Sequence, residues 1–367
     1  MKLKQIKEFD NLHLRLNKLN SYNKSFNCIV SAREAGKSTA YVTDIFRYFM
    51  QDRSTFIICK RKIKSLSEIY IESIIEIIKK FYDTTDIEFN YNKTELSKGH
   101  CLLKVIDLET NESWPFILFL CLKVDLDEMK SLMMPRIKWI IFDEFICNTK
   151  LGEKYLKNET FKFSEMFKTF QRENRGLKVY FFGNPYSKYN PYFVYFGFDI
   201  GKIKQGTIVT SDKAVVWNYK LSDELIAFIK ENDPLYELDD SYTSYAYDGD
   251  SVNDRNINLL DKLPDGYKVG YIIKTDGVYI IIRYNTIAED DRFAFIVNTQ
   301  KDIKEFSSSR QIYFLNYSEL FGQNPLLIYP SRPGQIWQSI QLHLARNNVG
   351  YLDLQAYYMI LEIFNLN

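Results

Sequence analysis

Along the first half of the chain, short continuous apolar runs alternate with stretches in which apolar residues recur every three or four positions. The runs predict strands and the wider spacing predicts amphipathic helices. FNCIV (Phe26 to Val30) reads as a strand, followed by a helix from Lys37 to about Met50. STFIICK (Ser54 to Lys60) is the next strand. Leu66, Ile69, Ile74, Ile77, Ile78 and Phe81 then form one stripe of a helix ending near Tyr82. Strands follow over Cys101 to Asp107 and Trp114 to Lys123, and KWIIFDEF (Lys138 to Phe145) is an apolar strand that ends in two acids. A helix near Phe161 to Gln171 and the strand KVYFFGNP (Lys178 to Pro185) close the series. This alternation predicts an α/β fold with a mostly parallel sheet and helices on both faces.

The pattern changes after residue 205. The stretch from Tyr236 to Asn256, rich in Asp, Ser and Tyr, lacks apolar periodicity and reads as a loop or connection. KVGYIIKTDGVYIIIRYN then holds two strand runs joined at Asp276 and Gly277, a hairpin signal. A third strand is expected at Arg292 to Thr299 and a helix from about Gln335. The expected organisation is an α/β domain over 1–205, a linker region over 206–260, and a smaller α+β domain over 261–367.

Composition narrows the class without choosing the function. Hydrophobic residues make up 46% and charged residues 26%, as in a globular protein. The longest apolar run, Phe116 to Leu122, is far short of the roughly 20 residues a membrane span needs. No membrane partner is expected, and MKLKQIKEFDNLHLRLNK shows no export signal. Cys28, Cys59, Cys101, Cys121 and Cys147 lie mostly in or beside strand-like runs, which suggests buried thiols in a reducing compartment. With His13, His100 and His343 far apart and no close cysteine pair, a Cys/His zinc site is not expected. A net charge of +1 gives no global pull toward nucleic acid, so such binding has to come from local patches.

SAREAGKS (Ser31 to Ser38) carries the first chemistry. Gly36, Lys37 and Ser38 follow a strand and open a helix, where unpaired amides and the positive dipole end face bound phosphates. Lysine reaches the terminal phosphates and Ser38 can ligate Mg²⁺. The usual first glycine is replaced by Ser31, and the triplet alone is common by chance. Support comes from Asp143 and Glu144 at the end of an apolar strand, an acid for the metal shell and a base to orient water. Alone, such a pair is usually just a solvated strand end. Asn184 in FFGNP ends another strand and is a candidate phosphate sensor, with a plain Asn-Pro turn as the alternative. The nucleotide-binding set is Ser31, Ala32, Arg33, Glu34, Ala35, Gly36, Lys37, Ser38 and Thr39.

The cations divide into two groups. Arg33 lies inside the loop, where its charge can act within the same subunit, while Arg172 and Arg175 suit a finger reaching a neighbouring subunit's nucleotide. Each also reads as a solvated arginine. KRKIK places Lys60, Arg61, Lys62 and Lys64 just after a strand, a loop suited to gripping a phosphate backbone without reading sequence. The abundant Tyr and Phe sit mostly in strand patterns and read as core.

Taken in order, SAREAGKSTA after FNCIV, FIICKRKIKSL, WIIFDEFI and FFGNPYSKYNPYFVYF resemble the DNA-packaging motor ATPases of phi29-like short-tailed bacteriophages. These are additional-strand, catalytic-glutamate phosphate-loop ATPases related to terminases and FtsK/HerA-type motors. The resemblance covers about the first two hundred residues. It implies ATP and Mg²⁺ as cofactors, Lys37 and Ser38 at the nucleotide and metal, Asp143 on the metal, Glu144 activating water, and Arg172 or Arg175 acting in trans. It further implies a ring, usually a homopentamer, on the portal of a procapsid in the host cytoplasm. That ring drives double-stranded DNA inward, with a packaging RNA in the members that have one. The carboxyl-terminal domain is implied to be a degenerate RNase H-like nuclease fold turned to docking. Asp248, Asp250 and Asp254 read as an acidic linker. Two rivals remain: a docking protein with a vestigial loop that does not hydrolyse ATP, and a large terminase with an active nuclease.

Overall fold

The computed structural model describes residues 5, 7, 14–125, 132, 134, 136–148, 152–187, 190–198, 202–232, 257–274, 278–286, 293–300, 313–316, 338–340, 342–344, 346 and 348–363. The chain divides into two units, Met1–Asn253 and Asp254–Asn367.

In the first unit the strands are β1 (Phe26–Ser31), β2 (Thr55–Lys60), β3 (Ile87–Asn90), β4 (His100–Asp107), β5 (Ser113–Cys121), β6 (Ile137–Asp143), β7 (Lys178–Gly183), β8 (Ile208–Thr210) and β9 (Ala214–Tyr219). They form one sheet in the order β3-β4-β5-β2-β6-β7-β1-β9-β8. The six strands from β5 to β9 pair in parallel, and antiparallel pairs close both edges. All of β2 is buried, as are all but one position of β1, β6 and β7, which is the signature of strands covered on both faces.

Besides a single helical turn at Asn17–Asn20, the helices are α1 (Lys37–Asp52), α2 (Glu68–Phe81), α3 (Glu159–Gln171), α4 (Pro191–Tyr195) and α5 (Asp223–Asn232). Tyr48 of α1 packs edge-on against Trp139 of β6, ring centroids 5.0 Å apart. Phe163 of α3 stacks on Phe142 of the same strand at 6.2 Å. Trp139 and Phe142 are three residues apart on a strand and so face opposite sides, which places α1 and α3 on opposite faces of the sheet. Phe163, Phe181 and Tyr192 add an aromatic cluster on the α3 side. Each fully buried ring contributes about 1.5–3 kcal/mol, so the aromatics read as core are core.

For α2 the stop and start signals match the ends. The Ser67 hydroxyl accepts from the Tyr70 amide, Glu68 sits in the first turn, and Lys79 and Lys80 sit in the last. Its buried stripe is Ile71, Ile74, Ile75, Ile78 and Phe81. Ile69 was expected on that stripe and is instead 82% exposed. The helix begins only at Glu68, so the stripe runs from Ile71 and Ile69 falls on the other side.

The linker expected from residue 206 is corrected. Residues 208–219 form β8 and β9, and β9 pairs along the whole length of β1. Their Ile, Val and Trp residues extend the sheet, and α5 follows. The loop expected at Tyr236 to Asn256, including Asp248, Asp250 and Asp254, lies outside the described residues.

The second unit holds β10 (Tyr267–Lys274), β11 (Tyr279–Asn285), β12 (Phe295–Gln300), β13 (Tyr313–Asn316), β14 (Val349–Tyr351) and α6 (Leu354–Ile363). The sheet order is β13-β10-β11-β12-β14. The expected hairpin is present as antiparallel β10 and β11, although Asp276 and Gly277 themselves lie outside the described residues. β13 and β14 run parallel to β10 and β12 respectively. An antiparallel β10–β11–β12 meander thus carries one parallel strand beside its first strand and another beside its last. Its core joins Ile273, Ile280, Ile282, Val297, Val349 and Ile360. The helix expected from about Gln335 is present at 338–340 and 342–344, and β14 then interrupts it before α6. No helix among the described residues is long and apolar enough to cross a membrane.

All five cysteines are buried thiols, none of them in a disulfide. Burial pushes the Cys101 thiol up to about 11 and Cys147 up to about 12, and raises Cys28, Cys59 and Cys121 as well. Thiolate is the reactive form, so at about pH 8 the native chain should resist alkylation while denaturant releases all five sites. Mass spectrometry of the labelled protein checks this. Rapid native labelling of Cys28 or Cys59 would contradict the burial of β1 and β2.

Candidate nucleotide site

Register brings the motif residues together. Ile29 of β1 pairs with Phe182 of β7, Phe182 with Asp143 of β6, and Phe142 with Cys59 of β2. One residue farther lie Glu144 and Lys60, and two residues farther Ser31 and Asn184. Residues separated by long stretches of sequence thus gather at the carboxyl ends of four adjacent strands, where open α/β sheets bind ligands.

The loop from Ser31 to Lys37 turns on Gly36, whose φ of 74° lies in the left-handed region and opens α1. Lys37 folds into this loop. Its ammonium donates to the Ser31 carbonyl at 2.9 Å, the Ser31 hydroxyl at 3.0 Å, the Ala32 carbonyl at 2.7 Å and Asn184 Oδ1 at 2.9 Å. Ser31 therefore does what a glycine cannot: its buried hydroxyl accepts from the lysine. Ser38 is exposed at the start of α1, and Arg33 is exposed on the loop.

Asn184 makes the turn its sequence context suggested and also reaches the loop lysine. The Tyr186 amide donates to its carbonyl at 2.8 Å, closing a tight turn, while its side chain meets Lys37. The preceding Gly183 is required by space, since a Cβ there would lie 2.9 Å from the Phe145 ring.

Asp143 is 9% exposed and lies in a ring of donors. Its Oδ2 accepts from Lys60 Nζ at 2.8 Å, from Tyr70 Oη at 3.2 Å and from Tyr41 Oη at 3.4 Å. Burial, then the negative Asp143, raises the Tyr41 hydroxyl far above its ordinary value, so it stays a proton donor. Glu144 follows at φ 58°, and its side chain, 63% exposed, reaches Lys60 Nζ at 3.1 Å. Burial pulls the Lys60 ammonium down, but Asp143 and Glu144 outweigh it and the net direction is up.

Two residues of the expected DNA-gripping loop are therefore corrected. Lys60 is 5% exposed and Arg61 7% exposed, and both are spent on carboxylates: Lys60 on Asp143 and Glu144, Arg61 on Glu159. The run looked like a surface because four cations in five residues usually are one. In the structure β2 ends beside β6, so its last residue and the next turn toward the acids. Lys62 and Lys64 remain exposed.

Arg172 and Arg175 are exposed and line a shallow depression with Lys168, Gln171 and Gly176. They precede β7, next to Asn174, whose side chain accepts from the Ile137 amide at the start of β6. They therefore lie at the amino-terminal edge of the sheet, one strand length, about 20 Å, from their own loop. Within this chain they are not brought to the site.

Sequence reading missed Tyr41, Tyr70, Glu159 and Tyr192. Tyr41 sits one helical turn after Lys37, the only positional hint; the others carry no local signal.

A sheet with β7 inserted between the loop strand β1 and the acidic strand β6 defines an additional-strand phosphate-loop NTPase fold. The chain belongs to the podovirus DNA encapsidation protein (Gp16) family, whose profile matches residues 9–216. Two solved structures share its fold. The Phi-28 gp11 DNA packaging motor is 14% identical with a TM-score of 0.66, covering 98% of this chain and 99% of that one. The bacteriophage Phi-29 viral genome packaging motor assembly is 16% identical with a TM-score of 0.57, covering 96% of this chain and 100% of that one. No curated protein sequence matches the chain.

Proposed function

We propose that the first unit binds and hydrolyses ATP and that a ring of such chains uses the cycle to drive double-stranded DNA into a preformed capsid. The observation that carries this reading is the meeting of the Lys37 loop, Asp143–Glu144 and Asn184 at adjacent strand ends. The family and its packaging-motor relatives supply the biological setting.

The residues fit a magnesium nucleotide. Asp143 already holds a positive charge, the Lys60 ammonium standing where cationic charge is needed, and Ser38 is open at the helix start. When bound by Ser38 and Asp143, Mg²⁺ would neutralise phosphate charge. Residues 31–39 cradle the phosphates, with Lys37 exchanging its loop carbonyls for phosphate oxygens. Asn184, bonded to Lys37, feels that exchange and sits on the turn leading to Tyr186, a route from nucleotide state to backbone. Glu144, facing open space, orients the attacking water. Arg33, exposed on the loop, is read as acting within its own subunit. The position of Arg172 and Arg175 on the far edge supports action on a neighbour's nucleotide in a ring, the pentamer being the usual form. Portal and packaging RNA are partners of the same reading.

The second unit is read as a docking module. Neither β10 nor its parallel neighbour β13 contains an Asp or Glu, which favours the vestigial reading over an active nuclease.

Lys62 and Lys64 are the part of the basic loop left for DNA. ATP turnover by the full-length chain should rise on adding duplex DNA, and the Lys62→Ala/Lys64→Ala protein should need more DNA for the same rise. Each lost phosphate contact lowers the salt slope of binding by about 0.9. Titrations at several salt concentrations measure this; unchanged affinity and slope would remove these lysines from the DNA path, and turnover indifferent to DNA would argue against the motor.

A further inference from the structure

Glu144 occupies the left-handed backbone region at φ 58°, which residues with side chains rarely adopt. The turn is held by the Phe145 amide, which donates to the Phe182 carbonyl at 3.2 Å, and by the Arg61 guanidinium. Arg61 Nη1 donates to the Glu144 carbonyl at 2.9 Å, and Nη2 donates to the Phe145 carbonyl at 2.6 Å. The same fork is gripped from behind by Glu159, through Nε at 2.8 Å and Nη2 at 2.9 Å. Glu159, 3% exposed, is itself fixed by the Tyr192 hydroxyl at 2.8 Å and the Leu156 amide at 2.7 Å. The Tyr155 and Phe142 rings lie 5.0 and 5.7 Å from the guanidinium carbon.

A buried ion pair that served packing alone has no reason to aim its remaining donors at one turn. Here both carbonyls it takes belong to the residue whose side chain must point at water and to the residue after it. We propose that Arg61 is a positioning residue for Glu144: the Tyr192–Glu159–Arg61 chain holds the turn after β6 so that the Glu144 carboxylate stays aimed into the nucleotide site. This rests on the reading of Glu144 as the group that orients the attacking water.

Deleting the guanidinium would orphan Glu159 and endanger folding, so the informative changes are gentler. Arg61→Lys keeps the charge beside Glu159 but cannot reach two carboxylate oxygens and two carbonyls at once. Tyr192→Phe removes one bond from the anchor. The experiment is steady-state ATP turnover on duplex DNA by full-length wild type, Arg61→Lys, Tyr192→Phe, Glu144→Gln and the Arg61→Lys/Glu144→Gln double variant. Affinity for a non-hydrolysable ATP analogue and Tm are measured alongside.

Arg61→Lys should lose roughly 10²-fold in kcat, as misplacement of a reacting group by about 1 Å does, with KM and analogue affinity within about twofold. Tyr192→Phe should lose roughly fivefold in kcat, the worth of about one hydrogen bond. In the Glu144→Gln background, Arg61→Lys should cost nothing further, because it acts through a carboxylate already gone. Wild-type kcat in Arg61→Lys, or an equal loss with and without the Glu144 carboxylate, would reduce Arg61 to a structural ion pair and overturn the proposal. Should Arg61→Lys fail to fold, the kcat of Tyr192→Phe alone decides. Glu144→Gln turning over at the wild-type rate would instead sink the reading of Glu144, a separate outcome visible in the same data.

Discussion

Glu144→Gln should bind ATP as well as the wild type does and turn it over about 10²–10⁴-fold more slowly, the range lost when a positioned general base is removed. Glutamine keeps the size of the side chain and its hydrogen-bonding reach but cannot take a proton. The Glu144 side chain is mostly exposed, and its ion pair among the described residues is the 3.1 Å contact with Lys60. That half-solvated pair is worth at most about 1 kcal/mol, so the loss in rate should far exceed any loss of stability. Parallel measurement of turnover, analogue binding and Tm separates the two. Retained turnover would remove Glu144 from the chemistry and leave Asp143 as the sole functional acid of the pair.

Lys37→Ala should lose nucleotide binding itself. The ammonium that now spans the Ser31 and Ala32 carbonyls, the Ser31 hydroxyl and Asn184 is the charge available to the terminal phosphates. A charge-assisted bond of this kind contributes about 1.5–3 kcal/mol, or roughly tenfold to more than a hundredfold in Kd. The change also takes from Asn184 its contact with the loop, so any conformational response of the 184–186 turn to nucleotide should vanish with it. Fluorescent-nucleotide titration reads the first effect. Wild-type affinity in Lys37→Ala would mean that the phosphates are held elsewhere.

The contrast between Lys37 and Lys60 shows what sequence carries here. The placement of Lys37 was legible because it is set locally: strand, turn glycine and helix start lie within one short segment, and that geometry follows from chain order alone. Asp143, Glu144 and Asn184 were legible for the same reason, each ending an apolar run. Lys60 and Arg61 also end an apolar run, yet their partners lie on β6 and α3, and only the parallel register of β2 with β6 reveals them. Composition favoured the surface and packing decided otherwise. Breaking the Arg61–Glu159 pair would leave a charge buried, at about 3–5 kcal/mol, a strong structural constraint that composition does not encode. Ile69 and the strands β8 and β9 belong to the same class. Periodicity found the helix but not its first residue, and the short strands β8 and β9 fall inside the expected linker although β9 pairs with β1.

The most direct test of a working site behind SAREAGKS is phosphate release from ATP by equal amounts of full-length wild type, Lys37→Ala and Glu144→Gln on duplex DNA. Turnover by the wild type alone, with ATP retained by Glu144→Gln and not by Lys37→Ala, is the predicted result; the same background rate in all three proteins would contradict it.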